Sequence, residues 1–395
     1  MSPAPAEPTL ASLQALEARS VIPSYARAPV AFVRGEGCRL WDSDGVEYLD
    51  FLAGVAVLSL GHCPPTVVEA IRDQSQRLIH ASNLYYSAPA MQLSDRLARG
   101  SLGGKVFLCN SGAEAIEAAL KLARRAHPGG EIVVAHGGFH GRTYGALSAT
   151  AQETKQAPFV PLVPGFVVCD ATDPEALAAA VGPSTAAVLI EPVQCETGIH
   201  PIPVETLEAA RAACVANDAA LIFDEVQTGV GRSGSLWAFQ RLGVIPDAIT
   251  SAKGLGGGMP IGALITGERL ADTLRPGDHG STFGGNPIAC AAALAVLDIV
   301  DDERFLHAVR ERGAQLAAGL AELPGVAAQR GLGLMQAIDL DGGGAPALVA
   351  RALAEQRLLV NATGPATIRL EPPLTVSAAE IDDALARLRA LLDAA

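Results

Sequence analysis

Positive charge is scarce in this chain, and lysine is scarcest in its second half. Lys and Arg number 29 against 42 Asp and Glu, a formal net charge of −13 over 395 residues. Nucleic acid needs clustered basic residues, so phosphate-backbone binding is excluded as a main task. A polybasic membrane surface is excluded on the same ground. The seven cysteines, Cys38, Cys63, Cys109, Cys169, Cys195, Cys214 and Cys290, include no CxxC pair. An odd, scattered set argues against a disulfide framework and for a reducing cytosol. No HExxH pair offers a metal site, so no metal is expected. No GxxxxGK[ST] loop occurs, and Met259 breaks the GxGxxG pattern counted from Gly254. The first 20 residues lack the basic-then-apolar layout of a signal peptide. The longest apolar stretch, residues 287–300, is interrupted by Asp298 and too short to span a bilayer, so it is expected as a buried helix. There are no internal repeats.

What remains is a packed globular composition, 49% hydrophobic and 18% charged. The length suits one large domain and a smaller one. Residues up to about Gln14 are expected as a loose tail. Residues 35–51 alternate like strands around an Asp44-Gly45 turn. From about Gly61 to Gly280, short apolar runs alternate with helical patterns, which predicts an α/β fold around a mostly parallel sheet. Such sheets place their sites at the carboxyl ends of strands. Residues 307–323 read as helix, 331–340 as strand, 341–346 as a loop, and 384–394 as a closing amphipathic helix.

Five stretches carry candidate chemistry. In 109–125, a strand ends at Cys109 and a helix follows the Asn110–Ser111–Gly112 turn. Its free N–H groups and dipole suit a phosphate, although Ser111 serves equally as an ordinary helix cap. In 137–150, Phe139 suits stacking on a planar ring. Arg142 suits a carboxylate or a surface ion pair, and His140 is expected to be a hydrogen-bonded structural histidine. In 221–234, Asp224 stands where an apolar run stops. A carboxylate there suits a protonated pyridine nitrogen, a cap or a metal. In 247–262, Lys253 is the one lysine after Lys155, and it follows another apolar run. Lysine is rarely buried without reason, and an apolar pocket makes its amine a usable nucleophile. In 279–290, Ser281 and Thr282 suit a phosphate, while Asn286 or Ser281 suits a helix cap.

No one of these stretches is specific, but their order is. Asp224 and Lys253 lie 29 residues apart, each ending an apolar run, with a phosphate-type turn upstream. The runs LWDSDGVEYLDFLAG, NSGAEA, FHGRT, DEVQTG, SAKGLGGGMPIG and STFGGNP occur in the order of the class III (ornithine-type) pyridoxal-phosphate aminotransferases. The chain resembles that family from about Tyr25 to about Leu388.

The resemblance implies fold type I of the pyridoxal-phosphate transferases. That means a large domain with a mostly parallel seven-stranded sheet plus a smaller α+β domain. The implied boundaries are 1–60 (an N-terminal segment contributing to the small domain), 61–285 (cofactor-binding) and 286–395 (C-terminal small domain). It implies pyridoxal 5'-phosphate held covalently by Lys253, with Asp224 facing the ring nitrogen, Gln227 the ring hydroxyl and Phe139 stacked on the ring. Ser111, Gly112 and Ala113 would cradle the phosphate. Thr282 would reach the phosphate of the neighbouring subunit's cofactor, which implies a homodimer with shared active sites.

Within the family, the chain is most similar to the branch acting on N-acetylornithine. There the terminal amine passes to 2-oxoglutarate, giving N-acetylglutamate semialdehyde and glutamate in arginine biosynthesis. Arg142, Ser281, Tyr25 and Asn83 would then be substrate contacts. Val55 stands where ornithine-specific relatives carry a tyrosine, and Glu196 with Arg369 matches a glutamate–arginine switch. Three departures stand out: Cys195 and Thr197 replace glycines of the family pattern, Leu58 and Ser59 replace a stretch with a common asparagine, and Glu371 occupies a usually apolar position. The alternatives are relatives acting on ornithine, succinylornithine, succinyldiaminopimelate, 4-aminobutyrate or carrier-linked lysine. Beyond them stand a pyridoxal-phosphate aminomutase and a non-enzymatic protein keeping the fold.

Overall fold

The computed structural model describes residues 9–393. Its first element corrects the expected loose tail, because residues 10–14 belong to a helix, Leu10–Ser20. Thr9 caps it by accepting the Ser12 N–H at 3.3 Å, and the run is rich in Leu and Ala, both good helix formers. None of its residues is buried, so propensity and cap sustain it rather than packing. Residues 1–8 of the expected tail lie outside the described residues.

Strands β1 (Phe32–Glu36), β2 (Arg39–Asp42) and β3 (Glu47–Asp50) form an antiparallel meander. The Asp44-Gly45 turn joins β2 to β3, and the Asp42 carboxylate pins it by accepting the Asp44 and Val46 N–H groups at 3.0 and 2.9 Å. Ala53–Ala56 then makes a single left-handed turn, with φ between 50° and 65° at all four residues. A β-branched residue such as Val55 (φ 65°) is strained there.

The central sheet has seven strands. Its members are β4 (Gly103–Cys109), β5 (Glu131–Ala135), β6 (Phe166–Cys169), β7 (Thr185–Ile190) and, after the short hairpin β8 (Val193–Gln194) and β9 (His200–Pro201), β10 (Ala220–Asp224), β11 (Ala248–Ser251) and β12 (Gly262–Gly267). Their spatial order is β4-β12-β11-β10-β7-β5-β6. Only β12 runs against its neighbours, so six strands end at the same edge. β7, β10 and β11 are buried at every position, which explains why they read as continuous apolar runs without alternation. The fold is therefore the mostly parallel seven-stranded α/β sheet expected.

Beyond the sheet, the helix Pro287–Val300 has the expected bounds, and eight of its residues are buried. Its cap is Asn286, whose side chain accepts the Ile288 and Ala289 N–H groups. Helices Glu303–Ala321 and Ala378–Asp393 pack together near β13 (Val326–Leu332) and β14 (Met335–Leu340). Residues 331–340 were expected as one strand but divide at Gly333 into the end of β13 and the whole of β14. Gly333 has φ 60°, and a Cβ there would lie 2.4 Å from the Arg232 carbonyl oxygen, so only glycine lets the chain reverse at that point. β15 (Leu358–Leu359) pairs in parallel with β3, tying the chain's two ends together. β16 (Asn361–Ala362) and β17 (Thr367–Leu370) complete the sheet β13-β14-β17-β16.

Candidate active site

Five strand ends converge on one cavity of about 320 Å³. Residues at or just beyond the strand ends supply its walls: Ser111 after β4, Phe139 and His140 after β5, Glu191 after β7, Asp224 on β10 and Lys253 after β11. Adjacency in the sheet, not in sequence, brings them together.

Ser111 begins the helix Gly112–Ala126 and is its N-cap, its hydroxyl accepting the Glu114 N–H at 3.2 Å. The N–H groups of Gly112 and Ala113 take no partner among the described residues and border the cavity. A Cβ on Gly112 would meet Val226 at 2.8 Å, so the turn stays as tight as it is only with glycine. The cap and phosphate roles of Ser111 are thus compatible, since capping one N–H leaves two facing inward.

Asp224 is almost fully buried. One of its oxygens lies 2.7 Å from His140 Nδ1, and the other accepts from the Val226 N–H at 3.0 Å and the Thr250 hydroxyl at 3.1 Å. Burial pulls the fully buried His140 down, but the hydrogen bond and charge of Asp224 outweigh it and hold the ring above the usual histidine range. His140 is the hydrogen-bonded structural histidine expected. Glu191, which sequence reasoning passed over, accepts the Phe139 N–H at 2.8 Å. Burial, helped by the charge of Asp224, pushes Glu191 up to about 7. Its signal was present in the sequence, as the polar residue ending the run TAAVLIE.

Lys253 opens a short 3₁₀ turn with φ 41°, a left-handed conformation unusual for a long side chain. Its ammonium donates to Gln227 Oε1, and Gln227 Nε2 donates to Glu371. Glu371 is fully buried, and its second oxygen lies 3.3 Å from Arg369 Nε. Arg369 also donates to Glu196 at 2.9 Å, to the Cys195 carbonyl at 3.1 Å and to Asn361 at 3.0 Å. Glu196 lines the cavity and Arg369 stands behind it. Burial raises Glu196, but the Arg369 charge outweighs this and holds the carboxyl below its usual range.

Other sequence candidates lie further out. Arg142 is exposed, its guanidinium 5.6 Å from the Phe139 ring centre. Ser281 accepts from Asn110 Nδ2 at 3.1 Å, beside the phosphate-type turn. Asn83 donates to the carbonyls of Ser281 and Gly284 at 3.1 and 2.8 Å. Thr282 and Tyr25 are exposed and do not line the cavity. Val55 does not line it either, although Val57 does.

The donor set fits pyridoxal phosphate. Two free N–H groups at a helix start suit its phosphate, Phe139 suits a ring face, and the Asp224 oxygen next to His140 has capacity for one further cationic donor. Lys253 lines the same cavity.

Residues 21–392 match the model of the aminotransferase class-III family, and the chain belongs to that family. Its cofactor is accordingly pyridoxal 5'-phosphate. Among its relatives, the acetylornithine aminotransferase of Gloeobacter violaceus is 50% identical, over 95% of this chain and 96% of that protein. The solved N-acetylornithine aminotransferase of Stenotrophomonas maltophilia superposes with a TM-score of 0.82 at 35% identity, over 96% of this chain and 98% of that one. The ornithine aminotransferase of Toxoplasma gondii, whose structure shows partial occupancy of PLP at the active site, gives 0.92 at 35% identity, over 98% and 94%. No helix among the described residues is long and apolar enough to cross a membrane.

Proposed function

We propose that the chain transfers the terminal amine of N-acetylornithine to 2-oxoglutarate, giving N-acetylglutamate semialdehyde and glutamate. The choice of N-acetylornithine within the family is supported by the relatives of that activity, and one observation in the site supports the two-donor reaction: a buried arginine, Arg369, stands behind a glutamate at the cavity wall. A pocket serving two unlike amino donors needs such a mask. Glutamate brings a carboxylate next to its reacting amine, whereas N-acetylornithine does not.

Each residue then has a task. Ser111, Gly112 and Ala113 hold the cofactor phosphate, Phe139 covers its ring, and Gln227 faces its hydroxyl. Asp224, oriented by His140, keeps the ring nitrogen protonated. When bound, pyridoxal phosphate supplies the electron sink that lets the C–H bond beside the transferred nitrogen ionise. Lys253 holds the cofactor and, once freed, takes and returns that proton as general base and then acid. Arg142, with Ser281, Tyr25 and Asn83 nearby in the assembled site, receives the α-carboxylate of N-acetylornithine. Glu196 covers Arg369 during that half and yields it to the near carboxylate of 2-oxoglutarate in the next.

The site is shared between two copies in a homodimer, with Thr282 reaching the partner's phosphate. Support comes from an apolar surface around the Asn83 and Ser281 segments, where Leu84, Tyr85, Tyr86 and Phe283 are 60–91% exposed. We also retain the division into 1–60, 61–285 and 286–395, supported by the β3–β15 pairing that joins the first stretch to the last. Amino-donor profiling of the purified protein with 2-oxoglutarate tests the substrate. Preference for ornithine, succinylornithine or 4-aminobutyrate, or turnover without a keto acid, would overturn it.

A further inference from the structure

Glu371 is the fully buried carboxylate at a position where the family resemblance implies an apolar side chain. It is too far along the chain from Gln227 for local structure to join them, yet it accepts the Gln227 Nε2–H directly. Its other oxygen faces Arg369 Nε at 3.3 Å. One oxygen thus accepts the Gln227 N–H, while the other is held by the Arg369 charge alone, because the Arg369 Nε–H is donated to Asn361 and this oxygen takes no hydrogen bond among the described residues. A glutamine amide has one accepting end and one donating end, and Glu371 can satisfy only the donating end. We infer that Glu371 is a positioning residue that sets the direction of the Gln227 amide, so that its carbonyl oxygen, and not its N–H group, faces Lys253 and the cofactor ring. An acceptor there favours a protonated neighbour, and a donor would favour an unprotonated one.

This inference rests on the cofactor-site reading above. The charges around the two ends are distinct. Lys253 faces Glu191 and Glu196 across the cavity, with Asp224 and His140 on the neighbouring strand ends. Glu371 faces Arg369, the buried Arg232 and the Cys195 thiol. Glu371 is therefore a counter-charge for two arginines as well as an orienting acceptor, and the test must separate the two effects.

Two substitutions remove the same charge and differ in hydrogen-bond polarity. In Glu371→Gln, the positive charge of Arg369, 3.3 Å from that end, favours the new amide oxygen over an N–H₂, so the new N–H₂ faces Gln227. Two N–H₂ groups cannot satisfy each other, so Gln227 turns over and presents its own N–H₂ to Lys253 and the ring. In Glu371→Met, of similar volume, Gln227 is left without a director. The readout is the pH midpoint of the bound cofactor's visible absorbance in the resting holoenzyme, without substrate. We expect the midpoint of Glu371→Gln to lie below that of the parent, and below that of Glu371→Met by about one pH unit, the tenfold effect of one hydrogen bond to a charged group. Equal midpoints for the two variants would mean that charge alone acts, and would overturn the inference. Should Glu371→Met fail to fold, a Gln227→Met background replaces it. There Glu371→Gln should lose most of its shift, and an undiminished shift overturns the inference equally. A parent protein that binds no cofactor and shows no such absorbance would sink the cofactor-site reading itself. An intact band with an unmoved midpoint would sink the role of Glu371 alone.

Discussion

The glutamate mask over Arg369 can be tested quantitatively by Glu196→Ala. The pair is held by one charge-assisted bond of 2.9 Å between Glu196 Oε1 and Arg369 Nη1, with Arg369 side-chain exposure at 2% and Glu196 at 26%. A hydrogen bond to a charged group contributes about 1.5–3 kcal/mol. The partial exposure of Glu196 screens the pair, which places the expected value at about 1.5–2 kcal/mol, or roughly 10- to 30-fold. Removal of Glu196 should not loosen the arginine, because the Cys195 carbonyl, Asn361 and Glu371 still hold it. The ratio of glutamate to N-acetylornithine as amino donor should therefore rise by that factor, read as half-reaction rates from cofactor absorbance. Arg369→Ala should slow the 2-oxoglutarate half while sparing the N-acetylornithine half. Cys195 stiffens the turn, with its thiol 3.8 Å from Met335 Sδ, and so favours the lower end of the range. Equal slowing of both halves by Arg369→Ala would make that arginine structural and refute the mask.

Lys253→Ala should abolish turnover and the yellow colour of the bound cofactor while circular dichroism stays that of the parent. Retained activity would remove the basis of the mechanism. Asp224→Ala should still bind cofactor but lose single-turnover amine transfer by orders of magnitude, and it should lower the melting temperature because His140 loses its partner. Mixing inactive Lys253→Ala chains with inactive Thr282→Ala chains should restore part of the activity, since one hybrid site keeps both residues. No recovery despite demonstrated subunit exchange would contradict a shared site. Glu225 is fully buried, and burial pushes it up to about 7 against the opposing bonds from the Ala238 and Phe239 N–H groups and the Thr228 hydroxyl. A raised folded-state value means stability that is full below about 4.5 and lost as pH rises through 7, by at most about 3 kcal/mol. Melting temperatures of Glu225→Gln should accordingly fall less than those of the parent between pH 4.5 and 8.

The parallel sheet was legible because its central strands are buried on both faces and so read as unbroken apolar runs, each ended by a polar residue. That same end signal marked Asp224 and Lys253. It marked Glu191 equally well, but a glutamate at a strand end has no chemistry until Phe139 and Asp224 are brought beside it by strand order. The helix at Leu10–Ser20 was missed for the opposite reason. It buries nothing, so it has no apolar stripe to detect, and only Thr9 and residue propensity announce it. The left-handed turn at Ala53–Ala56 leaves no sequence trace either, since three of its four residues disfavour that conformation. Exposed candidates behave differently again. Tyr25, Arg142 and Thr282 are exposed and do not line the cavity, so their sequence motifs, not a buried strand end, singled them out.

Glu371 shows what a departure from a family pattern can mean physically. A carboxylate in place of an apolar residue in a closed core is costly unless opposite charges and donors surround it. Here Arg369, Arg232 and the Gln227 amide supply them. The sequence flagged the position but could not say whether it was tolerated or used. That depends on Gln227, which is 144 residues away and reaches Glu371 only because the β10 end and the β17 end meet behind the cavity. A carboxylate that merely balanced two arginines would need no contact with a residue touching the reacting lysine. Glu371 has that contact, so the substitution links Lys253 to Arg369 through two hydrogen bonds, by way of Gln227, and one buried ion pair.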